Sequence, residues 1–230
     1  MEKANIRKQD VYDSVLIAML LALTGGFLDA YTYVLRGGVF ATMQTGNMIM
    51  LVVKGIEFDW AYTWNYILPI LSFALGVVFS EVLRDAMKKS PVKWQRYLLL
   101  IEIIILTVVA FIPNGKLNIL ATCLISIVAS LQMNGFNKMK GHTFFSTMCT
   151  GNLSSCSVFL YRSIKNKDLS YLVKSLRYIA VIGLFVSGAF LGLMIFEFTK
   201  EYSLFVPCAI LLICFCVLFF DRSEVEILPE

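Results

Sequence analysis

Long apolar runs separated by short polar stretches dominate this chain. Six of the runs approach the roughly 20 residues that a helix needs to cross a bilayer. They cover residues 14–35, 64–83, 97–112, 117–136, 176–198 and 204–220. The pattern predicts an all-α integral membrane protein with six transmembrane helices, in a single membrane domain over residues 1–230.

Two further segments, residues 40–56 and 144–161, are as long as a thin span but carry hydroxyl, amide and glycine positions through their first halves. Lys and Arg concentrate in cytoplasmic loops, and each crossing inverts the side of every later loop. If neither segment crosses, 16 of the 20 basic residues lie inside and 4 outside, whereas two crossings give 11 and 9. We therefore expect two re-entrant segments in a multi-pass protein of the cell membrane, with both termini cytoplasmic.

The two polar segments repeat one sequence at an offset of 105 residues. Residues 40–47 are FATMQTGN and residues 145–152 are FSTMCTGN, so six of the eight positions are identical. The same offset places Asp29 opposite Asn134, and a gap of seven residues then places Gly76 opposite Gly188. Because each half has three spans, the second half must be inverted relative to the first. We expect these inverted halves at about residues 12–112 and 117–220.

Inverted repeats whose broken helices meet near the midplane are a recurrent plan of transport proteins. Irregular backbone at membrane depth is tolerated only where protein buries it or where it lines a wet cavity. The repeated polar segments therefore predict a substrate path. Its expected residues are Thr45, Gly46, Asn47, Thr150, Gly151, Asn152, Asp29 and Asn134.

The Thr-Gly-Asn motif admits three interpretations. Thr and Asn are good helix N-caps, so half-helices could begin here and run through residues 48–53 and 153–160. Their free N–H groups would favour an anion or a polar acceptor at the centre. A helix over residues 37–44 would instead direct its carbonyl groups to the centre and favour a cation. In the third interpretation Gly and Thr serve close packing and Asn ties helices together.

Several ionisable residues lie in or beside the predicted spans. Asp29 is deep within an apolar span, so it must be paired, protonated or hydrated. It could couple transport to protons or orient the nearby loop, or it could make a structural hydrogen bond to the loop backbone. We expect Arg36 and Glu102 to reach the membrane interface, with neutralisation of Asp29 as the alternative for Arg36. His142 is a candidate pH-sensitive group at the mouth of the second segment.

The composition supports a membrane protein and excludes other classes. The chain has 230 residues, of which 58% are hydrophobic and 16% charged, and a mean hydropathy of +0.75. A soluble domain needs a more polar surface. The net charge of +4 lies in clusters between apolar runs, so we expect no nucleic-acid partner. The six cysteines and one histidine form no ligand pattern and no catalytic motif is visible, so we expect no metal, no cofactor and no enzyme activity.

The stretches Gly26-Phe-Leu-Asp29-Ala30, Gly38-Val-Phe40 and Thr45-Gly46-Asn47 resemble the signature of the YoaK family. These are bacterial multi-pass membrane proteins classed as a domain of unknown function. Thr150-Gly151-Asn152 fits the second half of that family, in which a Gln-Asn pair usually precedes the motif. The corresponding stretch here is Gln132-Met-Asn134. The resemblance covers nearly the whole chain and implies a protein of the bacterial inner membrane with no established substrate.

Two functions are compatible with these features. The first is a transporter or channel for a small polar or anionic solute, with its path at the interface of the two repeats. The alternative is a non-transporting membrane scaffold or sensor whose polar motifs only pack helices. The expected partners are the lipid bilayer and the solute, and the sequence also allows a homo-oligomer.

Overall fold

The computed structural model describes residues 13–58, 60–88, 90 and 92–220. The expected N-terminal boundary at about residue 12 and both chain termini lie outside the described residues. The helices are α1 (Val15–Leu35), α2 (Gln44–Ile56), α3 (Trp60–Ala86), α4 (Trp94–Ala110), α5 (Asn118–Gly135), α6 (Cys149–Asn166), α7 (Leu169–Thr199) and α8 (Phe205–Phe219). The expected all-helical class is thus confirmed.

Two short elements connect helices. Between α5 and α6, strands β1 (Lys138–Met139) and β2 (His142–Thr143) pair as an antiparallel hairpin. A 3₁₀ turn, Lys200–Leu204, joins α7 to α8. Neither was expected from the hydropathy pattern, since both fall in the polar gaps between apolar runs.

Local capping explains where several helices begin and end. The Ser14 side chain accepts a hydrogen bond from Ile17 N at 3.2 Å and starts α1. Gly37 and Gly38 follow α1 with φ of 95° and 78°, a backbone conformation that glycine adopts without strain. Asp168 starts α7 by accepting from Ser170 N at 2.8 Å. These polar ends extend α7 beyond its apolar centre.

Among the described residues, four stretches are long and apolar enough to cross a membrane. They are Val15–Leu35, Tyr62–Ala86, Asn118–Gly135 and Leu169–Phe219, the last containing both α7 and α8. The surfaces of α3 and α7 expose rows of large apolar side chains, including Leu71, Leu75, Val78, Val82, Val186 and Phe190. Such a continuous apolar surface requires lipid rather than water around it. The chain is therefore a helical membrane protein.

The helices pack in two equivalent sets. Helix α1 lies along α7, and α5 lies along α3. Helix α2 packs on α3, and α6 packs on α7. Helix α4 contacts both α5 and α8, and α8 in turn contacts α1. Exchanging the first four helices with the last four, in order, converts these contacts into one another.

Glycines allow the closest of these helix contacts. A Cβ on Gly26 of α1 would overlap the main chain of Phe185 in α7, and a Cβ on Gly188 of α7 would overlap the main chain of Leu23. Gly76 of α3 lies in the same way against Ile127 of α5. Close backbone approach at small residues is the usual basis of helix association in membranes. It positions α1 and α5 in the interior.

Candidate functional site

The loop after α1 folds back onto α1. The main-chain N–H of Thr42 donates to Asp29 Oδ1 at 2.8 Å, and the Thr42 hydroxyl donates to Asp29 Oδ2 at 2.6 Å. The N–H of Ala41 donates to Thr32 Oγ1 at 3.1 Å. Asp29 is buried, so these bonds replace the water that its carboxyl group loses. Of the roles considered for Asp29, the structure contains the hydrogen bond to the loop backbone.

The motif asparagines close both polar loops in the same way. Asn47 Oδ1 accepts from Phe40 N at 3.0 Å, and its Nδ2 donates to Phe40 O at 2.6 Å. Asn152 makes the same pair of bonds with Phe145, at 3.2 Å and 2.6 Å. Both asparagines are buried. Each amide therefore satisfies one peptide group seven residues earlier, which fixes the loop against the start of the following helix.

Helices α2 and α6 begin at Gln44 and Cys149, positions related by the repeat offset of 105 residues. The Thr-Gly-Asn motif thus forms the first turn of each helix, one turn earlier than the predicted helix starts. The alternative of a helix over residues 37–44 is wrong, because residues 37–43 are irregular. The N-cap residues Met43 and Met148 provide no side-chain cap. Their positions leave helix N–H groups available at these ends.

The other motif residues differ from the asparagines in exposure. Thr45 and Thr150 are exposed, and Gly46 and Gly151 are partly buried. A Cβ on Gly46 would make only ordinary contact with the Phe40 ring at 3.4 Å, and Gly151 has the equivalent contact with Phe145. The threonine hydroxyls are therefore the motif side-chain groups that a solute could reach.

Both loops meet α1 near its midpoint. The second loop contacts Gly25, where a Cβ would lie 3.0 Å from Thr147 Cγ2 and 3.2 Å from the carbonyl oxygen of Ser146. The first loop contacts Asp29, one helical turn further along. Since α1 spans 21 residues, Gly25 is its central position. The structure thus brings Asp29 and the two loops together in the middle of one buried helix.

Asn134 lies apart from this cluster. Its Nδ2 donates to Ser80 Oγ at 2.6 Å and to Glu81 Oε1 at 2.7 Å, both on α3. Gln132 instead supports the second loop, donating from Nε2 to Ser146 Oγ at 3.0 Å and to Leu21 O on α1 at 2.9 Å. Two residues along a helix turn a side chain to the opposite face, which the sequence offset alone did not reveal.

A comparison with protein families assigns the chain. The family described as "Protein of unknown function (DUF1275)" matches residues 17–217. The chain belongs to this family. The expected resemblance to YoaK proteins is confirmed, because they are members of the same family. No curated protein and no solved structure matches the chain.

Arg36 departs from its expected position in this DUF1275 chain. It is only 2% exposed, so the prediction that it reaches the membrane interface is wrong. Its guanidinium donates to the Tyr31 hydroxyl at 2.6 Å, to Ile112 O at 2.8 Å and to Asn118 Oδ1 at 3.2 Å. Asp29 bonds to Thr42 instead, so the proposed neutralisation is also absent. Oxygens from a distant loop and helix hold Arg36 inside, where periodicity could not place it.

A cavity of about 230 Å³ opens beside Arg36, between the loop after α1 and the starts of α3 and α5. Its lining combines two cationic side chains with neutral polar groups. It consists of Arg36, Gly37, Val39, Tyr62, Asn65, Gly115, Lys116, Asn118, Ile119 and Thr122. Positive potential in a partly enclosed cavity attracts anions and the negative ends of polar molecules.

Glu102 also departs from its expected position. It lies at the centre of α4 with no exposed surface, so the prediction of an interfacial glutamate is wrong. Neither of its carboxyl oxygens has a hydrogen-bond partner among the described residues. The signal that could have located it is the spacing of Leu98, Leu99, Glu102 and Leu106, which places the acid on the apolar face of α4.

His142 lies where the sequence predicted it, in the hairpin that precedes the second loop. Its ring packs edge-on against Phe159 of α6. Partial burial lowers the pKa of His142, and the nearby positive charges of Lys174 and Arg177 lower it further, against a smaller opposing effect of Asp13. The imidazole is therefore held in its neutral form to lower pH than a free histidine.

Proposed function

We propose that this protein is a transporter or channel for a small polar or anionic solute. The path lies at the interface of two inverted repeats, each with three spans and one re-entrant helix. In this arrangement α1, α3, α4, α5, α7 and α8 cross the membrane, and α2 and α6 enter and return. The chain has no enzyme activity and needs no metal or cofactor, and its partners are the bilayer and the solute.

The exchange of helix contacts supports the repeat. So does burial along α4 and α8: Gln95, Leu98, Leu99, Glu102 and Leu106 are buried, and so are the residues 112 positions later. Those residues are Pro207, Ile210, Leu211, Cys214 and Leu218. Equal burial at a constant offset is expected when two segments occupy equivalent positions around a pseudo-two-fold axis.

The surroundings of α2 support a re-entrant course. Helix α2 has 13 residues and is about 20 Å long, too short to cross the roughly 30 Å hydrocarbon layer. Near its end, Lys54 lies within electrostatic reach of the Tyr66 hydroxyl on α3, as does Tyr33 from the end of α1. The end of α2 therefore lies at the same level as the end of α1 and the start of α3.

The observation that carries the proposed path is the meeting of both polar loops at Gly25 and Asp29, the middle of α1. The N-termini of α2 and α6 lie at these loops, so their N–H groups and partial positive charge act at the centre of the protein. A solute with an anionic or hydrogen-bond-accepting group fits such a site. The cavity beside Arg36 and Lys116 would admit the same class of solute from the outer side.

The site residues then divide into two roles. Thr45 and Thr150 contact the solute through their exposed hydroxyls, with Gly46 and Gly151 beside them. Asp29, Asn47 and Asn152 are positioning residues, because their polar groups hold the loops. Asn134 acts from α5 through Ser80 and Glu81 rather than at the loops.

The positive-inside distribution supports cytoplasmic termini. The basic residues of the connections α3–α4 and α5–α7 are on the side assigned as cytoplasmic, whereas Arg36, Lys54, Lys116 and Lys200 are on the other. The terminal residues 1–12 and 221–230 are outside the part of the chain that the structure describes.

One observation favours the alternative of a non-transporting scaffold or sensor. Both motif asparagines use their amides fully within their own loops, as expected of groups that only stabilise the fold. In that case, the motif would affect stability and no solute would cross.

Flux in reconstituted vesicles tests the proposal. Vesicles with the full-length protein are loaded with small anions and neutral polar solutes, and wild type is compared with Thr45→Val and Thr150→Val. Loss of a hydrogen bond to the solute is worth about 1 kcal/mol, so we expect flux to fall severalfold. Thr107→Val is the matched control, since the Thr107 hydroxyl donates to Ile103 O within α4.

The outcomes separate the two functions. Flux that equals wild type in both motif variants, with folding intact, would rule out these threonines as solute contacts. Wild-type vesicles that leak no faster than protein-free vesicles for every solute would favour the scaffold or sensor.

A further inference from the structure

Glu102 is a buried acid that the proposed solute path does not use. It lies at the midpoint of α4, its exposed fraction is zero, and its two carboxyl oxygens have no hydrogen-bond donor among the described residues. A charged carboxylate in an apolar span is costly by a few kcal/mol even on insertion scales. An acid in this position is therefore neutral while the helices remain packed as they are.

The surroundings of Glu102 are apolar. It shares the buried face of α4 with Leu98, Leu99 and Leu106, and this core is completed by residues of α1, α5 and α8. Beside it on α8 lies Cys214, whose thiol is the titratable group within electrostatic reach of the carboxyl group. A thiol is a weak hydrogen-bond partner and cannot neutralise a carboxylate.

Titratable groups on the other elements packed against α4 have different partners. The Cys123 thiol of α5 pairs with Ser72 on α3, and Cys208 of α8 lies 3.8 Å from Thr107 Oγ1. At the ends of the helices, Glu201 of the 3₁₀ turn accepts from Asn114 N, and Glu81 and Arg84 of α3 form an ion pair. The charge state of Glu102 thus depends on its access to water rather than on a fixed counter-ion.

Glu102 and Cys214 are equivalent positions of the two repeats. The offset of 112 residues that relates α4 to α8 takes residue 102 to residue 214. Equivalent residues that are also neighbours must lie close to the axis that relates the halves. Helices α4 and α8 contact each other across that axis, so any movement of one half against the other changes the surroundings of both side chains.

We propose that Glu102 is a proton-binding site on the pseudo-two-fold axis of this protein. With α4 and α8 packed together, the carboxyl group holds its proton. When the halves move apart and water reaches the axis, the O–H bond breaks, the proton passes to water and the hydrated carboxylate remains. Re-protonation from water restores the neutral acid before the helices close. Coupling of this proton to solute movement rests on the proposed transport function, whereas the proton site itself does not.

Asp29 is the less suitable proton carrier. Both of its carboxyl oxygens accept hydrogen bonds from Thr42, which favour the carboxylate form and tie it to one loop conformation. Glu102 has no such bonds to lose, so a change of its hydration alone shifts its protonation.

Infrared difference spectroscopy of the full-length protein in lipid tests the proposal. We expect wild type at neutral pH to show the C=O band of a protonated carboxyl group, and Glu102→Gln to lack it. The band should persist in Glu197→Gln, whose side chain is exposed near the end of α7. In deuterium oxide the wild-type band should shift, and it should disappear reversibly as the pH is raised.

Three results would overturn the proposal. They are a band that remains in Glu102→Gln, no such band in wild type, and a Glu102 band that neither shifts in deuterium oxide nor titrates before the protein unfolds. The last would identify a permanently protonated structural acid.

A second measurement needs no variant. Dicyclohexylcarbodiimide reacts with protonated carboxyl groups in apolar surroundings, and peptide mass spectrometry of labelled wild type should locate the adduct on Glu102. Labelling confined to other acids would contradict the proposal. Neither measurement requires a solute, so failure of the vesicle flux assay and failure of the proton site are distinguishable.

Discussion

The side-chain amide of Asn47 bonds to both main-chain groups of Phe40, as a neighbouring peptide would. Alanine at this position leaves a buried N–H and a buried C=O without partners, at about 1–3 kcal/mol each. We therefore expect Asn47→Ala, and equally Asn152→Ala, to lower the free energy of unfolding by about 2–4 kcal/mol. Thermal unfolding in detergent measures this. The exposed Thr45→Ala is the control, and melting temperatures equal to that control would show that the amide bonds do not hold the loop.

Glycines at the α1–α7 contact should not tolerate a methyl group. In Gly26→Ala and Gly188→Ala the new Cβ meets main-chain atoms of the facing helix, so the helices must separate. We expect a loss of about 1–3 kcal/mol for each variant. Gly183→Ala, on an exposed position of the same α7 with open space around it, should instead stabilise by about 0.5–1 kcal/mol. A melting temperature that falls equally in all three variants would refute the close-contact explanation.

Two substitutions of Asp29 separate its charge from its hydrogen bonds. Asparagine keeps an oxygen that can accept from Thr42 N, whereas alanine leaves this buried N–H unsatisfied. We expect Asp29→Asn to retain most of the stability and Asp29→Ala to lose about 1–3 kcal/mol in thermal unfolding. If Asp29→Asn is as unstable as Asp29→Ala, the negative charge rather than the bonding pattern supports the loop.

Labelling from one side of the membrane tests the re-entrant course of α2. Cysteine is placed singly at Glu57, Lys116 or Asn166, and sealed cells are treated with a membrane-impermeant maleimide, with wild type as the background for the native cysteines. We expect Glu57→Cys and Lys116→Cys to label from outside and Asn166→Cys only after the membrane is opened. Labelling of Glu57→Cys together with Asn166→Cys would instead mean that α2 crosses.

Stability should fall on mild acidification because of His142. Its pKa is lowered in the folded protein, so as the pH falls below about 6.5 the unfolded chain takes up this proton before the folded chain does. The loss begins near the unfolded pKa and is complete below the folded one. We expect His142→Gln to reduce the drop in melting temperature between about pH 7 and about pH 5. An identical drop in both proteins would exclude His142 as the titrating group.

The hydropathy pattern predicted the interior of each long helix more reliably than its ends. Helix α1 matches its predicted bounds within one residue, because its apolar run stops at Gly37 and Gly38. Helix α7 begins at Leu169, seven residues before the predicted start, because Asp168 caps a polar first turn that hydropathy does not register. Apolar content thus locates spans, whereas local hydrogen bonds set their limits.

The repeat predicted that the two Thr-Gly-Asn segments are equivalent, but tertiary contacts decided which residues support them. The bonds of Asn47 and Asn152 follow the common offset. Gln132 rather than Asn134 supports the second loop, since helical rotation separates two residues by about 200°. Arg36 was misplaced for a related reason, because its partners lie 76 and 82 residues away in the chain.

The reciprocal packing of α1 on α7 and of α5 on α3 makes the two halves interlocked. The first helix of each half finds its largest contact surface on the third helix of the other half, not within its own. A fragment containing only α1–α4 would leave the glycine faces of α1 and α3 bare in the lipid. Neither half is therefore an independent folding unit, and separately expressed halves should accumulate only when they are made together.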